Sequence, residues 1–270
     1  MPNILEWLRY LLLGLLQGIT EVLPISSSGH LVLAQELMQM GDMDLSFEIF
    51  LHFASLLAIL WLFWPKLWRL IKGFFRYFVH HEIEDQEPYR YGWYLLLATI
   101  VTAGVGFGVQ ALTGGMFSAL FVGICLVLNG AMLLVLGHHQ GTQRITSLPW
   151  WKVALIGVFQ GIGVFPGISR SGATISGTLG LNVTREEATD FAFLLFLPAA
   201  GGAALLEIPN FLEGWQATMT GPYVLGFVAA FLGTYFAFSW LRRLIRKDRF
   251  HWFGYYCFAI GILAIIVSLV

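Results

Sequence analysis

The stretch Gly157 to Ser176, GVFQGIGVFPGISRSGATIS, decides how this chain is read. Its surroundings are strongly apolar, yet its centre, Pro166-Gly167-Ile168-Ser169-Arg170-Ser171-Gly172-Ala173-Thr174, is polar and carries a charge. An arginine near bilayer depth costs at least about 2.5–3.5 kcal/mol, so Arg170 needs a partner, a wet cavity or a ligand. The proline and glycines break any helix there, and broken backbone survives at membrane depth only where protein or water covers it. Free backbone N–H groups, hydroxyls and a guanidinium together make an anion cradle. The stretch therefore reads as a phosphate-handling site inside a membrane.

Working outward, the whole chain is greasy. Of its 270 residues 57% are hydrophobic and 11% charged, against about 25% charged in an ordinary soluble domain. The net charge of −1 leaves no global basic field, so nucleic acid is not an expected partner. Cys125 and Cys257 lie in apolar runs without metal-ligand spacing, and read as packing or lipid-facing residues with no disulfide. No small-residue cleavage site follows the first apolar run, so the N-terminus does not read as a cleaved signal. His80-His81 read as part of a solvated loop.

In chain order, residues 4–23 read as a helix broken at Pro24-Ile25-Ser26-Ser27-Ser28-Gly29-His30, followed by a short piece, Leu31 to Met40, closed by Gly41-Asp42-Met43-Asp44. That piece is too short to span, since about 20 residues are needed, so the pair enters and returns. Phe47–Trp64 is a span stopped by Pro65, and 65–92 form the main hydrophilic loop, its first part basic, aromatic and interfacial in character. Trp93–Leu112 and Ser118–Leu136 span, joined by a Thr113-Gly114-Gly115 turn. After a loop, Val153–Phe165 and Ile175–Leu181 flank the second break. Phe191–Leu206, Tyr223–Leu241 and Trp252–Val270 are the last spans, with Thr184-Arg185-Glu186-Glu187 suited to cap the first of them and an acidic loop at Glu207–Pro222.

The two broken segments align without gaps at an offset of 143: Gly14, Gln17, Gly18, Ile19, Ile25, Ser26, Ser28 and Gly29 match Gly157, Gln160, Gly161, Ile162, Ile168, Ser169, Ser171 and Gly172. Small-residue packing would explain the Gly pairs alone, but not the shared Ile-Ser-x-Ser-Gly. Each half, about 1–136 and about 150–270, holds one re-entrant pair and three spans. Three is odd, so the second half starts from the opposite side. Every Lys and Arg except Arg9 and Arg170 falls in loops assigned to one side, the cytoplasmic one by the positive-inside rule, which puts both termini outside. The expected fold is an all-α polytopic membrane protein, one integral-membrane domain over 1–270, with an inverted-topology repeat of six transmembrane helices and two re-entrant helix-loop-helix hairpins.

The repeat's differences point to chemistry. Glu21, Ser27 and His30 stand where the second half has Val164, Arg170 and Ala173. If the loops meet, they make one asymmetric site. Gln17 and Glu21 share a helix face, and an oxygen pair there suits a hard divalent cation bridging phosphate oxygens. His30 or Ser27 is a candidate nucleophile, and His30 alternatively a general acid or base. Arg170 would clamp phosphate oxygens. Ser26, Ser28, Ser169 and Ser171 can cap helices or touch the ligand, and Gly29, Gly167, Gly172 and Thr174 belong to the same cradle. Glu48 and His52, one turn apart on the following span, are further candidates for the pocket. The structural alternatives are that Glu21 only pairs with Arg170, that His30 is a satisfied core histidine, and that Gln17 and Gln160 are packing residues.

Gln17-Gly18-Ile19-Thr20-Glu21 with Pro24-Ile25-Ser26-Ser27-Ser28-Gly29-His30, and Pro166 through Thr174, resemble the two motifs of the bacterial undecaprenyl pyrophosphate phosphatases of the bacitracin-resistance type. The resemblance runs essentially end to end. It implies hydrolysis of undecaprenyl diphosphate to the monophosphate carrier lipid and phosphate, which serves cell-wall synthesis, in the bacterial cytoplasmic membrane and at its extracytoplasmic face. It also implies a divalent cation, Mg²⁺ or Ca²⁺, with Glu21 in the acidic motif, His30 and Ser27 near the scissile phosphate, and Arg170 on the diphosphate. The family's first motif often has Glu at the position of Gln17, although Gln also occurs; with Gln the site has one anionic ligand fewer. The other reading is a polyprenyl-phosphate transporter or flippase, since inverted repeats are transporter-like. Expected partners are the lipid substrate and membrane lipids, and pairing into a homodimer stays open.

Overall fold

The computed structural model describes residues 3–38, 45–113 and 118–269, and nearly all of them are helical. The helices are α1 (Ile4–Val22), α2 (Ser27–Leu37), α3 (Leu45–His80), α4 (Gln86–Thr113), α5 (Ala119–Leu136), α6 (Trp150–Ile162), α7 (Arg170–Gly180), α8 (Arg185–Leu206), α9 (Ile208–Gly214), α10 (Thr220–Arg246) and α11 (Trp252–Leu269). Among the described residues the only β pairing is one isolated bridge, Gln143 with Val183. Six helices, α3, α4, α5, α8, α10 and α11, are long and apolar enough to cross a membrane. The protein is an all-α polytopic membrane protein. Gly41–Asp44 and Gly114-Gly115 lie outside the described residues.

The broken pairs are α1–α2 and α6–α7. Each packs its first helix against a span of the other half: α1 along α10, and α6 along α4. Glycine makes both contacts close. A Cβ on Gly14 or Gly18 would lie 2.2 Å from the backbone oxygen of Gly226 or Ala230. On Gly157 it would lie 2.6 Å from Ala98 O, and on Gly161 2.5 Å from Val105 Cβ. So the glycines do serve packing, and they serve it in the same way in both halves. The third pairing is α5 with α11, where Gly123 faces Gly261 and Gly130 faces Gly254.

Several boundaries differ from expectation. Pro65 does not end α3, which runs on to His80. Proline removes one backbone hydrogen bond, and a helix with continuing apolar flanks absorbs that loss. At 1.5 Å per residue a 36-residue helix reaches about 54 Å, well past a 30 Å core, so the basic, aromatic segment is the continuation of the span. The loop ends earlier too, because α4 starts at Gln86 rather than Trp93. Thr184 N-caps α8 without a side-chain bond, and Glu187 instead accepts from the backbone N–H of Ile145 at 3.2 Å. The acidic stretch after Leu206 contains the short helix α9. Cys125 and Cys257 are free and buried.

Several ion pairs join loops and helix ends. Asp190 takes Lys66 at 2.7 Å and Arg242 at 3.0 Å, and Arg144 meets Glu87 at 2.9 Å. Arg185 pairs with Asp248, and its hydrogen bond holds the Asp248 carboxyl below its usual range. These contacts tie the loops that the sequence assigns to one side.

Candidate active site

The tips of the two broken pairs touch. Ser26 N-caps α2, its Oγ accepting from Gly29 N at 3.3 Å, and the same oxygen accepts from Gly167 N of the other tip at 3.0 Å. Ser169 N-caps α7 through Gly172 N at 3.0 Å, and its hydroxyl donates to Leu23 O at 3.5 Å. Ser171 donates to Val22 O at 3.4 Å. Two glycines allow this approach: a Cβ on Gly29 would lie 3.0 Å from Gly167 N, and one on Gly172 3.1 Å from Pro24 Cβ. Gly167 itself has φ +100°, which a side chain rarely adopts. Ser26 has φ 70° despite carrying a side chain, a strain of about 1–3 kcal/mol. It persists because its surroundings over-determine it: its hydroxyl holds two N–H groups, and its carbonyl takes the backbone N–H and the Nδ1–H of His30, the latter at 2.8 Å.

At the junction sits one buried carboxylate. Ser27 Oγ donates to Glu21 Oε2 at 2.5 Å, Gln17 Nε2 donates to the same oxygen at 2.8 Å, and Arg170 Nη2 donates to Oε1 at 3.1 Å. The other face of the guanidinium lies over the Phe196 ring, 5.3 Å from its centre. His52 of α3 joins from behind, its Nδ1 accepting from Gln17 Nε2 at 2.9 Å and standing 3.4 Å from Glu21 Oε2. Glu48 lies 3.9 Å from His52 Nε2. So Glu21, Ser27, Arg170 and Gln17, named from sequence, do come together, with Glu48 and His52 beside them.

A recess of about 420 Å³, its open mouth included, has Glu21 and Arg170 in its wall. Ser26, Ser27, Ser28, Ser169, Ser171 and Thr174 line it as well. Gln17 and His30 do not. His30 is buried, with both ring nitrogens engaged outside the recess. Its Nδ1–H is spent on the Ser26 carbonyl, which can only accept, so Nε2 accepts from Tyr256 OH of α11 at 2.9 Å. Thr174 bonds to Gln160 Oε1 at 3.3 Å and to Arg170 O at 2.7 Å, steadying the helix that carries the arginine. Three contributors went unnamed in the sequence reading: Phe196, Tyr256 and Asn129. The first two sit in spans rich in aromatics and give no signal. Asn129 does, as a lone amide in an otherwise apolar span.

Among the described residues no group of three or more His, Cys, Asp or Glu is arranged to hold a metal. Gln17 Oε1, however, is buried and has no hydrogen-bond partner, while the nitrogen of the same amide binds Glu21. An orphaned amide oxygen next to a carboxylate is a donor pair of the kind a hard cation accepts.

Two serine-capped tips that gather hydroxyls, a carboxylate and a guanidinium around one recess, inside an all-α bundle with six helices able to span, define a polytopic membrane protein with a polar centre. The chain belongs to the family of bacitracin resistance protein BacA, whose model matches residues 10–263. It is 36% identical over 263 residues to the undecaprenyl-diphosphatase of Oceanobacillus iheyensis, covering 96% of this chain and 95% of the relative. The undecaprenyl-diphosphatase of Desulfatibacillum aliphaticivorans is 35% identical over 278 residues, 98% of this chain and all of the relative. Undecaprenyl-diphosphatase 1 of Halalkalibacterium halodurans is 34% identical over 264 residues, 96% of each chain.

Proposed function

We propose that this protein hydrolyses undecaprenyl diphosphate to undecaprenyl phosphate and inorganic phosphate, recycling the carrier lipid for cell-wall synthesis. The observation that carries the reading is the buried Glu21, held at once by a hydroxyl at 2.5 Å and a guanidinium at 3.1 Å beside an open recess. The relatives' names supply the substrate and do not favour a transporter. Arg170 leaves Glu21 for the diphosphate oxygens and neutralises charge that develops on them. Ser27 Oγ then attacks the terminal phosphorus while its proton passes to Glu21 Oε2. The bond from that phosphorus to the bridging oxygen breaks, and undecaprenyl phosphate leaves. Water next attacks the phosphoserine, Ser27 Oγ recovers the proton from Glu21, and phosphate departs with the water's oxygen. A Mg²⁺ or Ca²⁺ ion on Gln17 Oε1 and Glu21 would neutralise part of the diphosphate charge when bound. His30 secures the Ser26 turn that presents Ser27. The setting is the bacterial cytoplasmic membrane, with the recess reached from the extracytoplasmic side; the Lys- and Arg-rich loops, which the positive-inside rule puts in the cytoplasm, support that orientation.

The test is phosphate release from undecaprenyl diphosphate by purified protein, with substrate radiolabelled on the terminal phosphate to trap a phosphoenzyme. Label is expected on Ser27, and Ser27→Ala should lose both label and at least about 10³-fold in turnover. Turnover of Ser27→Ala at the wild-type rate would falsify the assigned nucleophile.

A further inference from the structure

Asn129 lies on α5, away from the recess, and only 1% of it is exposed. Both ends of its amide are used, and they reach different hairpins. Nδ2 donates to Pro24 O of the first tip at 2.9 Å, and Oδ1 accepts from Ser169 N of the second at 3.1 Å. The same nitrogen touches Cys257 Sγ of α11 at 3.3 Å. The α5 backbone backs the second tip as well: a Cβ on Gly167 would lie 2.5 Å from Val122 O. Pro24 precedes the turn that presents Ser27, and Ser169 immediately precedes Arg170.

We infer that Asn129 is a positioning residue that sets the register of the two tips, and through them the spacing of Ser27, Glu21 and Arg170. The inference rests on the phosphatase reading above. The physical argument is that a buried backbone carbonyl and a buried backbone N–H each need a partner. Only a side chain with a donor and an acceptor on one planar group satisfies both across this gap. Without it the tips keep their own caps and their direct contacts but lose the bridge that ties both to α5. A misplacement of about 1 Å at a reacting centre costs on the order of 100-fold in rate.

The test measures kcat and KM for phosphate release from undecaprenyl diphosphate by the purified full chain, wild type against Asn129→Ala and Asn129→Asp, between pH 5 and pH 9, with thermal unfolding followed in parallel. Asn129→Ala should lower kcat on the order of 10- to 100-fold with KM changed by less than about threefold. Asn129→Asp keeps the acceptor for Ser169 N, but donates to Pro24 O only while its carboxyl is protonated, a state that burial favours. Its kcat relative to wild type should therefore fall as pH rises, while the ratio for Asn129→Ala stays flat. Cys257 is the titratable side chain in contact with the amide, and it is common to all three proteins. A merely structural role would lower unfolding temperature without that pH-dependent ratio. Wild-type kcat in both variants, or a flat ratio for Asn129→Asp, overturns the role of Asn129 alone. Absence of turnover in the wild type overturns the phosphatase reading and this inference with it.

Discussion

The two hairpins are near-copies in backbone and opposites in side-chain chemistry. In each, a serine caps the returning helix, a Gly-x-x-x-Gly stretch presses the entering helix on a span of the other half, and a glutamine about two turns before the break reaches the following span. What the glutamine meets differs. Gln17 finds the imidazole of His52 and the carboxylate of Glu21; Gln160 finds the backbone carbonyl of Leu195, at 3.3 Å, and the hydroxyl of Thr174. His52 and Leu195 are themselves equivalent positions at the offset of 143. Glu21 is buried, whereas its counterpart Val164 is 40% exposed. The lesson is a division of labour: glycine and serine reproduce the scaffold, and a few unmatched positions carry the charge.

The largest effect that can break this division is on the cross-hairpin pair. Arg170→Ala and Glu21→Gln should each lower kcat/KM for diphosphate hydrolysis by about 10³-fold, since one preorganised charge is lost at the reacting centre. Because both serve the same phosphoryl-transfer step as one unit, the double variant should be little worse than either single one. Losses that simply multiply would show that the hairpins contribute independently, and the asymmetric site would dissolve into two separate ones.

Next in size is the scaffold. Gly18→Ala and Gly161→Ala should both lower stability by about 1–3 kcal/mol, because the added methyl forces packed helices apart. Gly104 on α4 has nothing within 4 Å of an added Cβ, so Gly104→Ala should leave stability unchanged or raise it by up to about 1 kcal/mol. Thermal unfolding of the three variants in one detergent makes the comparison. Equal behaviour of Gly18→Ala and Gly104→Ala would mean that the close α1–α10 contact is not what glycine is there for.

Much of this was readable beforehand, for physical reasons that vary by residue. Arg170 was legible because an arginine amid apolar sequence must be accounted for, and Glu21 because the repeat set it against a valine. The meeting of the tips followed from the inverted repeat. Helix ends were less legible: Pro65 looked like a stop, and the apolar flanks carried α3 through it. Thr184 does stand at the N-cap of α8, but its N–H goes to Gln143 O and Glu187 takes Ile145 N, so no reciprocal capping box forms. His30 was expected at the phosphate, and only coordinates reveal that both its nitrogens are engaged by Ser26 and Tyr256. Asn129 is legible only as a lone amide in a span, which does not reveal the backbone groups it bridges.

The smallest predicted effect separates the two glutamines, and it is the sharpest probe of unequal halves. Gln17→Ala removes two donated bonds at the charged centre and the orphaned Oε1 that we propose as a cation ligand. Its kcat/KM should fall roughly 10-fold, and more Mg²⁺ should be needed for half-maximal turnover. Gln160→Ala removes a bond to a backbone carbonyl and one to Thr174, neither of them charged. It should cost about 1 kcal/mol in stability, the usual worth of such bonds, with kcat/KM within about threefold of wild type and no change in Mg²⁺ requirement. Measuring Mg²⁺ titrations and unfolding temperatures on both variants separates the outcomes. If Gln160→Ala shifts the Mg²⁺ titration as far as Gln17→Ala does, the cation belongs to both hairpins, and the charge is not confined to the unmatched positions after all.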